Sequence, residues 1–324
     1  MRIVVTGSLA YDYLMTFPGR FGEYLLPDQL ANFSVSFLVD TMRRMRGGVA
    51  GNIAYAIALL GEQPTVAAAA GQDFGEYAVW MRQHGIDTSA LLLDQNDFTA
   101  SCFINTDSHN SQLVAFYPGA AVRSHEIALA RLGLGTGDLV IISPTDPESM
   151  LHHTAECRAH GIPFLFDPGK QTPRLSGEQI LGGLDSAAVL VSNAYEFAMM
   201  AQKTGLSQSQ LIATTPITVI TRGEAGSELY RTSGGVTAIP IRMPVAPVAQ
   251  VLDPTGAGDA YLGGLVFGLA RGLDLAVAGR VAALSAAYCI EQRGCQEHSF
   301  TRDAFLARYT AAFGTVDDGL AAHM

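Results

Sequence analysis

A glycine-rich segment near the C-terminal end of the chain combines an anion-binding turn with a carboxylate. The segment reads Asp-Pro-Thr-Gly-Ala-Gly-Asp over residues 253–259, and a run of small and apolar residues follows it over 260–270. Glycines let backbone N–H groups converge on an anion, and the helix predicted from the run points its positive end at the same place. Asp259 adds a carboxylate to this positive turn. The combination fits phosphoryl transfer, in which the turn holds the transferred group and the carboxylate accepts the proton of the acceptor hydroxyl.

Two other phosphate-binding motifs do not describe the chain. A P-loop requires Gly-Lys followed by Ser or Thr, whereas Gly169-Lys170 is followed by Gln171. A dinucleotide-binding fingerprint requires a third glycine at the position of Tyr261. Most glycine-rich turns before helices serve only as turns, so the segment by itself leaves a purely structural interpretation open.

Six further motifs occur along the chain. They are Gly7-Ser8 with Asp12, Gly47-Gly48-Val49-Ala50-Gly51-Asn52, the group Gly71, Asp73 and Gly75, Asp167-Pro168-Gly169, Asn193 with Glu196, and Thr221-Arg222-Gly223 with Gly226. In type and order, all seven motifs resemble those of the ribokinase-like (PfkB) family of carbohydrate and nucleoside kinases. The resemblance spans about residues 2–313. It rests on the order of the motifs, because each motif alone is weak.

Within that family, three details make the sequence most similar to prokaryotic adenosine and nucleoside kinases. They are the Asp-Pro-Thr-Gly form of the last motif over 253–256, Asn-Ile-Ala-Tyr over 52–55, and residues 17–21 with 26–29, which resemble a nucleoside-kinase lid. The resemblance implies that ATP and Mg²⁺ are used to phosphorylate a nucleoside, with adenosine favoured, at its 5′-hydroxyl. The products would be the nucleoside 5′-monophosphate and ADP.

Two other functions stay open from the sequence. One is a sugar kinase of the same family that acts on ribose or fructose. The other is a non-catalytic nucleotide or sugar sensor with the same fold, which is disfavoured because Asp259 and the glycines of its turn are intact. A purely structural protein would explain none of the glycine spacing.

The composition restricts the class of protein further. The 324 residues are 48% hydrophobic and only 15% charged, which predicts one large domain, residues 1–324, with a substantial core. The net charge is −10 and no run of basic residues occurs, which argues against nucleic acid as a partner. We expect no membrane span and a cytoplasmic location, because charges interrupt the apolar stretches and no signal-peptide pattern follows Met1. The four cysteines lack metal-ligand spacing and are expected to be reduced thiols. A monomer and a homodimer both fit the sequence.

Strand and helix patterns alternate along most of the chain. Strands are predicted over 3–6, 65–70, 138–142, 163–166, 187–192 and 217–221, a hairpin over 226–239, and helices over 48–60, 74–84, 148–159, 195–203, 257–270, 274–291 and 302–312. This alternation predicts a mostly parallel sheet with helices on both faces. The segments 30–39 and 91–116 instead show short strand-like patterns. With the family resemblance they imply a three-layer α/β/α sandwich whose small β-sheet lid comprises residues about 13–46 and 91–121. The tail 317–324 is expected to be frayed, and His152 and His153 to lie on the surface.

The resemblance also implies roles at the reaction centre. Asp259 is the expected general base, and the N–H groups of Gly256, Ala257 and Gly258 would stabilise charge on the phosphoryl oxygens. Asp253 is interpreted either as an organiser of the loop or as part of a cation site. Asn193 and Glu196 would organise Mg²⁺ through water, although Asn-x-x-Glu is also the pattern of a helix-capping box.

Further residues are expected to bind the two substrates. Asp12 would accept hydrogen bonds from the ribose hydroxyls, with Gly48 and Asn52 completing the clamp, although Asn52 also fits a helix cap. ATP would contact Thr221, Arg222, Gly223 and Gly226 in addition to Gly256 and Gly258. Lid residues would bind the base, with Phe103, Gln112 and Phe116 as the main candidates and Phe33, Phe37 and Tyr117 as further ones, although aromatic residues in short strands more often form a core. His298 is interpreted as a turn residue rather than an adenine contact.

Overall fold

The computed structural model describes residues 1–24 and 34–324, and its fifteen strands belong to three sheets. The strands are β1 Ile3–Thr6, β2 Ala10–Thr16, β3 Thr41–Gly47, β4 Thr65–Ala67, β5 Ala69–Gly71, β6 Leu92–Asp94, β7 Ala100–Thr106, β8 Gln112–Tyr117, β9 Leu139–Ile142, β10 Phe164–Phe166, β11 Val189–Asn193, β12 Ile217–Thr221, β13 Ser227–Ser233, β14 Val236–Thr237 and β15 Ile241–Met243.

Eleven α-helices are found in the described part of the chain. They are α1 Phe21–Tyr24, α2 Val49–Leu59, α3 Gly75–Gln83, α4 Pro147–Ala159, α5 Gly177–Leu184, α6 Ala194–Thr204, α7 Gln208–Ile212, α8 Ala257–Ala270, α9 Leu275–Ile290, α10 Arg302–Phe313 and α11 Asp318–His323. Short 3₁₀ helices include Gly169–Gln171 and Gly223–Ala225. None of the helices in these residues has the length and apolar character needed to span a bilayer.

The central sheet has the strand order β14-β13-β12-β11-β10-β9-β1-β4, with β15 added beside β13. Six neighbouring strands are parallel: β12, β11, β10, β9, β1 and β4. Beyond β12, the strands β13, β14 and β15 pair antiparallel. Alternate residues of β1 face opposite sides, so Ile3 and Val5 pack with α2, α3, α8 and α9, whereas Val4 packs with α4 to α7. Burial on both faces gives the predicted three-layer sandwich.

A separate four-stranded sheet, which we call the lid, has the order β3-β2-β7-β8. Strand β2 pairs parallel with β7 and antiparallel with β3, and β8 pairs antiparallel with β7. The lid therefore combines strands from both of the segments that were expected to form it. The lid connects directly to the sandwich, because Gly48 is the single residue between the end of β3 at Gly47 and the start of α2 at Val49.

The prediction of a lid strand within 30–39 is wrong for the described part of that segment, residues 34–39. Residues 34–39 form no strand, and Phe37 packs edge-on against Phe17 and Phe21 instead. The strand lies at β3, whose sequence Thr-Met-Arg-Arg-Met-Arg-Gly lacks an apolar alternation. The interpretation of residues 26–29 and Phe33 as lid elements falls on residues 25–33, outside the described residues.

Three smaller expectations also differ from the structure. The strand expected over 65–70 is split, because β4 pairs with β1 whereas β5 pairs with β6. His153 is fully buried within the packing of α4, and burial lowers its pKa to about 4, so only its neighbour His152 is exposed. The tail is not frayed, since Asp317 caps α11 and Leu320 is fully buried.

Leu320 packs in one cluster with Phe267, Leu273 and Tyr309, so the tail contributes to the core. Leu320→Ala is therefore expected to lower the free energy of unfolding by about 2–4 kcal/mol, because truncation of a buried leucine leaves a cavity. Urea unfolding measures the change. Leu181→Ala is the matched control, since Leu181 is 39% exposed and its truncation is expected to cost less than about 1 kcal/mol. Equal effects of the two substitutions would contradict a docked tail.

Candidate active site

The N-terminal turn of α8 carries the glycine-rich segment that was expected to bind an anion. Gly256 precedes the helix with a left-handed backbone, φ 79°, and a Cβ at this position would lie 2.8 Å from the Cβ and Sγ of Cys295. Ala257 and Gly258 begin the helix, where backbone N–H groups lack helical acceptors. Asp253 accepts hydrogen bonds from the N–H groups of Thr255 (2.9 Å) and Gly294 (3.1 Å). This favours the interpretation of Asp253 as an organiser of the loop.

Asp259, in the first turn of α8, is held by a buried polar chain. The Asn52 amide donates to its Oδ2 over 2.7 Å, and Gln296 Nε2 donates to Asn52 Oδ1 over 2.8 Å. Burial raises the pKa of Asp259 to about 6, against the opposing effects of the Asn52 hydrogen bond and the Lys170 charge. At neutral pH the group is therefore mostly a carboxylate with a strengthened affinity for protons, which suits a general base.

Asn52 does not cap its helix. Gly48 precedes α2 with φ 87° and makes no side-chain cap, and Asn52 N donates to Gly48 O within the helix. The Asn52 side chain is thereby free to reach Asp259. A Cβ on Gly48 would lie 2.5 Å from Ala10 N and from Ser8 O, so the link between lid and sandwich requires a bare backbone here.

Asp12 lies on β2 beside this link. A Cβ on Gly47 of the neighbouring strand would lie 2.5 Å from Asp12 Oδ2, so the glycine leaves room for the carboxylate. Burial raises the pKa of Asp12, and the charge of Lys170 opposes the shift. The residues expected to clamp a ribose thus come from one lid strand and from the start of α2.

Asn193 and Glu196 form a complete capping box at the start of α6. Asn193 Oδ1 accepts from Glu196 N over 2.8 Å, and Glu196 Oε2 accepts from Asn193 N over 3.0 Å. Glu196 Oε1 stays outside this pair. The described residues contain no cluster of three or more His, Cys, Asp or Glu side chains that could hold a metal ion.

A cavity of about 150 Å³ adjoins the N-terminal turn of α8. Its lining includes the expected Thr221, Gly223, Gly226, Ala257 and Gly258, together with the apolar residues Pro244, Val245, Ala283 and Ala286. Arg222 does not line it. The Arg222 guanidinium is paired with Glu228, 2.7 Å from Nη2 to Oε2, and Tyr230 donates to the same carboxylate.

A second cavity, of about 340 Å³, lies under the lid. Strand register explains its lining: Asp12, Leu14 and Thr16 share one face of β2, and their partners Met45, Arg43 and Thr41 share that face of β3. The cavity is lined by Leu14, Thr16, Thr41, Arg43, Met45, Leu252, Asp253, Arg293 and Gly294. Arg44 and Arg46 lie on the opposite face, where they pair with Glu76 and Glu297.

The three lid residues expected to bind the base occupy different positions. Phe116 pairs with Cys102, the partner of Asp12, so it shares the cavity face and is 60% exposed. Phe103 lies on the opposite face, stacked on Tyr13 at 4.8 Å between ring centroids. This placement is at odds with a substrate contact by Phe103. Gln112 pairs with Thr106 at the distal end of the hairpin.

Sequence reasoning missed Gln296 and Arg43. Gln296 lies 37 residues beyond Asp259 and its site is made only by tertiary contacts to Asn52 and Tyr77. A period-two count through β3 could have placed Arg43 and Met45 on one face, had the strand been recognised.

His298 is buried, edge-on to the Tyr55 ring, and burial lowers its pKa to about 4, which agrees with a packing role.

Comparison with known proteins identifies the family. Residues 9–302 match the model of the pfkB family of carbohydrate kinases. The chain belongs to this family. It is an ATP-dependent kinase, as its motifs predicted.

Individual relatives cover nearly the whole chain. The nucleoside kinase of Burkholderia thailandensis, solved in complex with inosine, is 36% identical over 96% of this chain and 98% of its own, with a TM-score of 0.81. The nucleoside kinase of Methanocaldococcus jannaschii is 27% identical over 95% of this chain and 96% of its own length. Bacillus subtilis ribokinase is 26% identical over 93% and 97%. The expected ribokinase-like fold is thus confirmed.

Replacement of Asp259 separates catalysis from stability. Asp259→Asn should lower kcat by several orders of magnitude, because the expected general base is lost, while the Asn52 hydrogen bond can persist. The same variant should unfold at a higher temperature than the parent at pH 7.5, since ionising a buried group whose pKa is raised to about 6 costs about 2–3 kcal/mol. Steady-state kinetics and thermal unfolding measure the two effects.

The stability difference should depend on pH. Because the folded pKa of Asp259 exceeds the unfolded value, the folded state binds more protons between the two, and the parent loses stability as pH rises from about 4 to about 6. The advantage of Asp259→Asn should therefore vanish near pH 4 and be complete above pH 7. A constant difference across this range, or near-normal turnover by the variant, would contradict the assignment.

The two glycines of the α8 turn give a matched pair of substitutions. Gly256→Ala should cost about 1–3 kcal/mol of stability, because it combines a left-handed backbone with a clash against Cys295. Gly258→Ala should leave stability nearly unchanged, since its Cβ would meet no atom within 4 Å. If phosphate binds here, Gly258→Ala should instead raise the KM for ATP several-fold. Unfolding and kinetic measurements on both variants check this, and a destabilised Gly258→Ala would speak against it.

Proposed function

We propose that this kinase transfers the γ-phosphoryl group of ATP to the 5′-hydroxyl of a nucleoside, giving the 5′-monophosphate and ADP. The observation that carries the proposal is the hydrogen-bonded pair Asn52 and Asp259, together with Asp12 on the lid face that lines the cavity. A ribose bound to Asp12 and Asn52 directs one end to Asp259 and the other to that cavity. Because Asn52 donates to Asp259, the ribose site and the base are one connected unit.

The cavity under the lid supports a nucleoside rather than a free sugar. It follows β2 and β3 on the face that also carries Asp12, and it offers Leu14 and Met45 as apolar surface, with the hydroxyls of Thr16 and Thr41 and the guanidinium of Arg43 as polar groups. A base needs such a mixed surface, whereas ribose or fructose would leave this space unfilled. Phe116 lies on the same face and could stack on the base.

Purine nucleosides are the proposed acceptors. The sequence motifs favour adenosine, and a 36% identical relative was solved with inosine. Arg43 supplies hydrogen-bond donors. The hydroxyls of Thr16 and Thr41 bond to each other over 2.8 Å, which leaves one donor and further acceptor capacity between them, so the same cavity can accommodate either a 6-amino or a 6-oxo group.

ATP is proposed to occupy the cavity beside α8. Its apolar walls Pro244, Val245, Ala283 and Ala286 suit an adenine, and Gly223 and Gly226 allow backbone to approach the phosphates. The cavity ends at Ala257 and Gly258, so the terminal phosphate would reach the α8 turn. Arg222 is omitted from this part of the proposal because Glu228 neutralises it.

The reaction needs one proton transfer and one phosphoryl transfer. Asp259 accepts the 5′-hydroxyl proton while the 5′-oxygen bonds to the γ-phosphorus and the bond to the β–γ bridging oxygen breaks, releasing ADP. The N–H groups of the α8 turn stabilise charge on the phosphoryl oxygens. Mg²⁺ would offset phosphate charge, and Glu196 Oε1 with Asn193 fits a water-mediated site for it.

The deciding experiment is phosphorylation of an acceptor panel by the purified protein with Mg-ATP. Adenosine, inosine, cytidine, ribose and fructose are compared, and products are identified by mass and by position of the phosphate. We expect purine nucleoside 5′-monophosphates, with kcat/KM at least about tenfold above that for either sugar. Asp12→Asn should raise the nucleoside KM about tenfold or more with a smaller effect on the KM for ATP, because hydrogen bonds to an ionised group are strong. A sugar phosphate as the main product would overturn the proposal.

A further inference from the structure

The chain contains only two lysines, Lys170 and Lys203, beside eighteen arginines. Lys203 has a structural role, since its Nζ donates to Pro173 O over 2.7 Å and to Leu175 O over 2.6 Å. Lys170 is exposed, and its side chain makes no hydrogen bond or ion pair within residues 1–24 and 34–324. Its charge is therefore uncommitted among the groups that the structure describes.

The backbone that carries Lys170 is well fixed. It belongs to the 3₁₀ turn Gly169–Gln171, which follows β10 at the same sheet edge as Asn193 at the end of β11. Asp167 N donates to Ile142 O over 2.9 Å and Thr172 Oγ1 donates to Gly169 O over 2.8 Å. A rigid turn thus presents a flexible cationic side chain to the edge where ligands bind in parallel sheets.

The surroundings of Lys170 are acidic. Its charge favours the ionised forms of Asp12 and Asp259 and so opposes the rise of both pKa values. Asp167 lies nearby, where burial, Glu196 and Asp259 raise its pKa well above the usual range. A triphosphate brought to this edge meets several carboxyl groups, while Arg222 is already paired with Glu228.

On the basis of the proposed nucleoside kinase function, we propose that Lys170 is a further catalytic residue whose ammonium donates hydrogen bonds to the phosphoryl group in transfer. Two observations support this role: the fixed turn at the sheet edge where ligands bind, and a side chain without a partner among the described residues. Lys170 stays protonated throughout. The proton of the 5′-hydroxyl goes to Asp259, the new bond joins the 5′-oxygen to the γ-phosphorus, and the broken bond releases ADP.

The chemistry of an ammonium suits this position. In phosphoryl transfer, charge is spread over the equatorial oxygens, and a lysine supplies a compact charge with three rotatable donors. The N–H groups of the α8 turn hold that charge from one side, and Lys170 would hold it from the side of the two carboxylates. An ammonium bound to phosphate would offset part of the repulsion between these carboxylates and ATP.

Two variants and a control test the role by kinetics. Lys170→Met should lower kcat about 10²–10³-fold, the range found when one stabilising donor is removed, with the nucleoside KM changed less than about threefold. The kcat of Lys170→Arg should be at least about tenfold higher than that of Lys170→Met, because arginine retains a cation. Lys203→Arg, at the structural lysine, should keep kcat within about twofold. A change in nucleoside KM alone would overturn a catalytic role.

Chemical labelling gives a second readout on the unaltered enzyme. Acetic anhydride acetylates lysines, and peptide mass spectrometry resolves the two sites because they lie in different segments. A non-hydrolysable ATP analogue with Mg²⁺ should slow labelling of Lys170 at least about fivefold and leave Lys203 unchanged. Equal labelling rates with and without the analogue would overturn the proposal, even if Lys170→Met proved unstable.

These outcomes separate the two proposals. Phosphorylation of a sugar instead of a nucleoside would overturn the proposed function, and the Lys170 variants would then be tested with that sugar, where an unchanged kcat still overturns the role of Lys170. Normal nucleoside turnover by Lys170→Met would overturn only the role of Lys170.

Discussion

The hydrogen bond between Asn52 and Asp259 is the contact on which the candidate site depends, because it joins the start of α2 to the start of α8. It forms only if α2 and α8 approach closely. Gly263 permits this, since a Cβ there would lie 2.5 Å from Ala56 Cβ and 3.1 Å from Ile53 O. Gln296 fixes the Asn52 amide from the other side, so one polar chain positions the Asp259 carboxylate, while burial raises its pKa to about 6 against the Asn52 hydrogen bond.

A second constraint is electrostatic. The sheet edge gathers Asp12, Asp167, Glu196 and Asp259 in a protein of net charge −10, yet the family reaction handles a polyanion. Backbone N–H groups at the start of α8 are one answer, since they carry partial positive charge without side chains. Burial raises the pKa of Asp259, and a raised pKa suits the proton acceptance proposed for this residue. The burial of Asp259 thus lowers the stability of the fold at the residue that is proposed to accept the proton.

The lid owes its chemistry to strand register. A single pairing of β2 with β3 and β7 determines which side chains face the cavity, so Asp12, Arg43 and Phe116 share one face, whereas Tyr13, Arg44 and Phe103 share the other. The outer face is filled by aromatic stacking and by arginines paired with Glu76 and Glu297, which ties the lid to the sandwich. The face that carries Asp12, Arg43 and Phe116 is the one that lines the larger cavity and is proposed to hold the ligand.

The sequence by itself determined the family, the strand–helix alternation of the sandwich and the α8 turn, because those features depend on local patterns of glycine, apolar residues and carboxylates. It did not determine β3, whose arginines hide the period-two pattern, nor the docking of α11, whose single buried leucine gives little signal. The partner of Asn52, the pairing of Arg222 and the orientation of Phe103 were decided only by tertiary structure. Each depends on which residues distant in sequence become neighbours, and local propensity carries no information about such contacts.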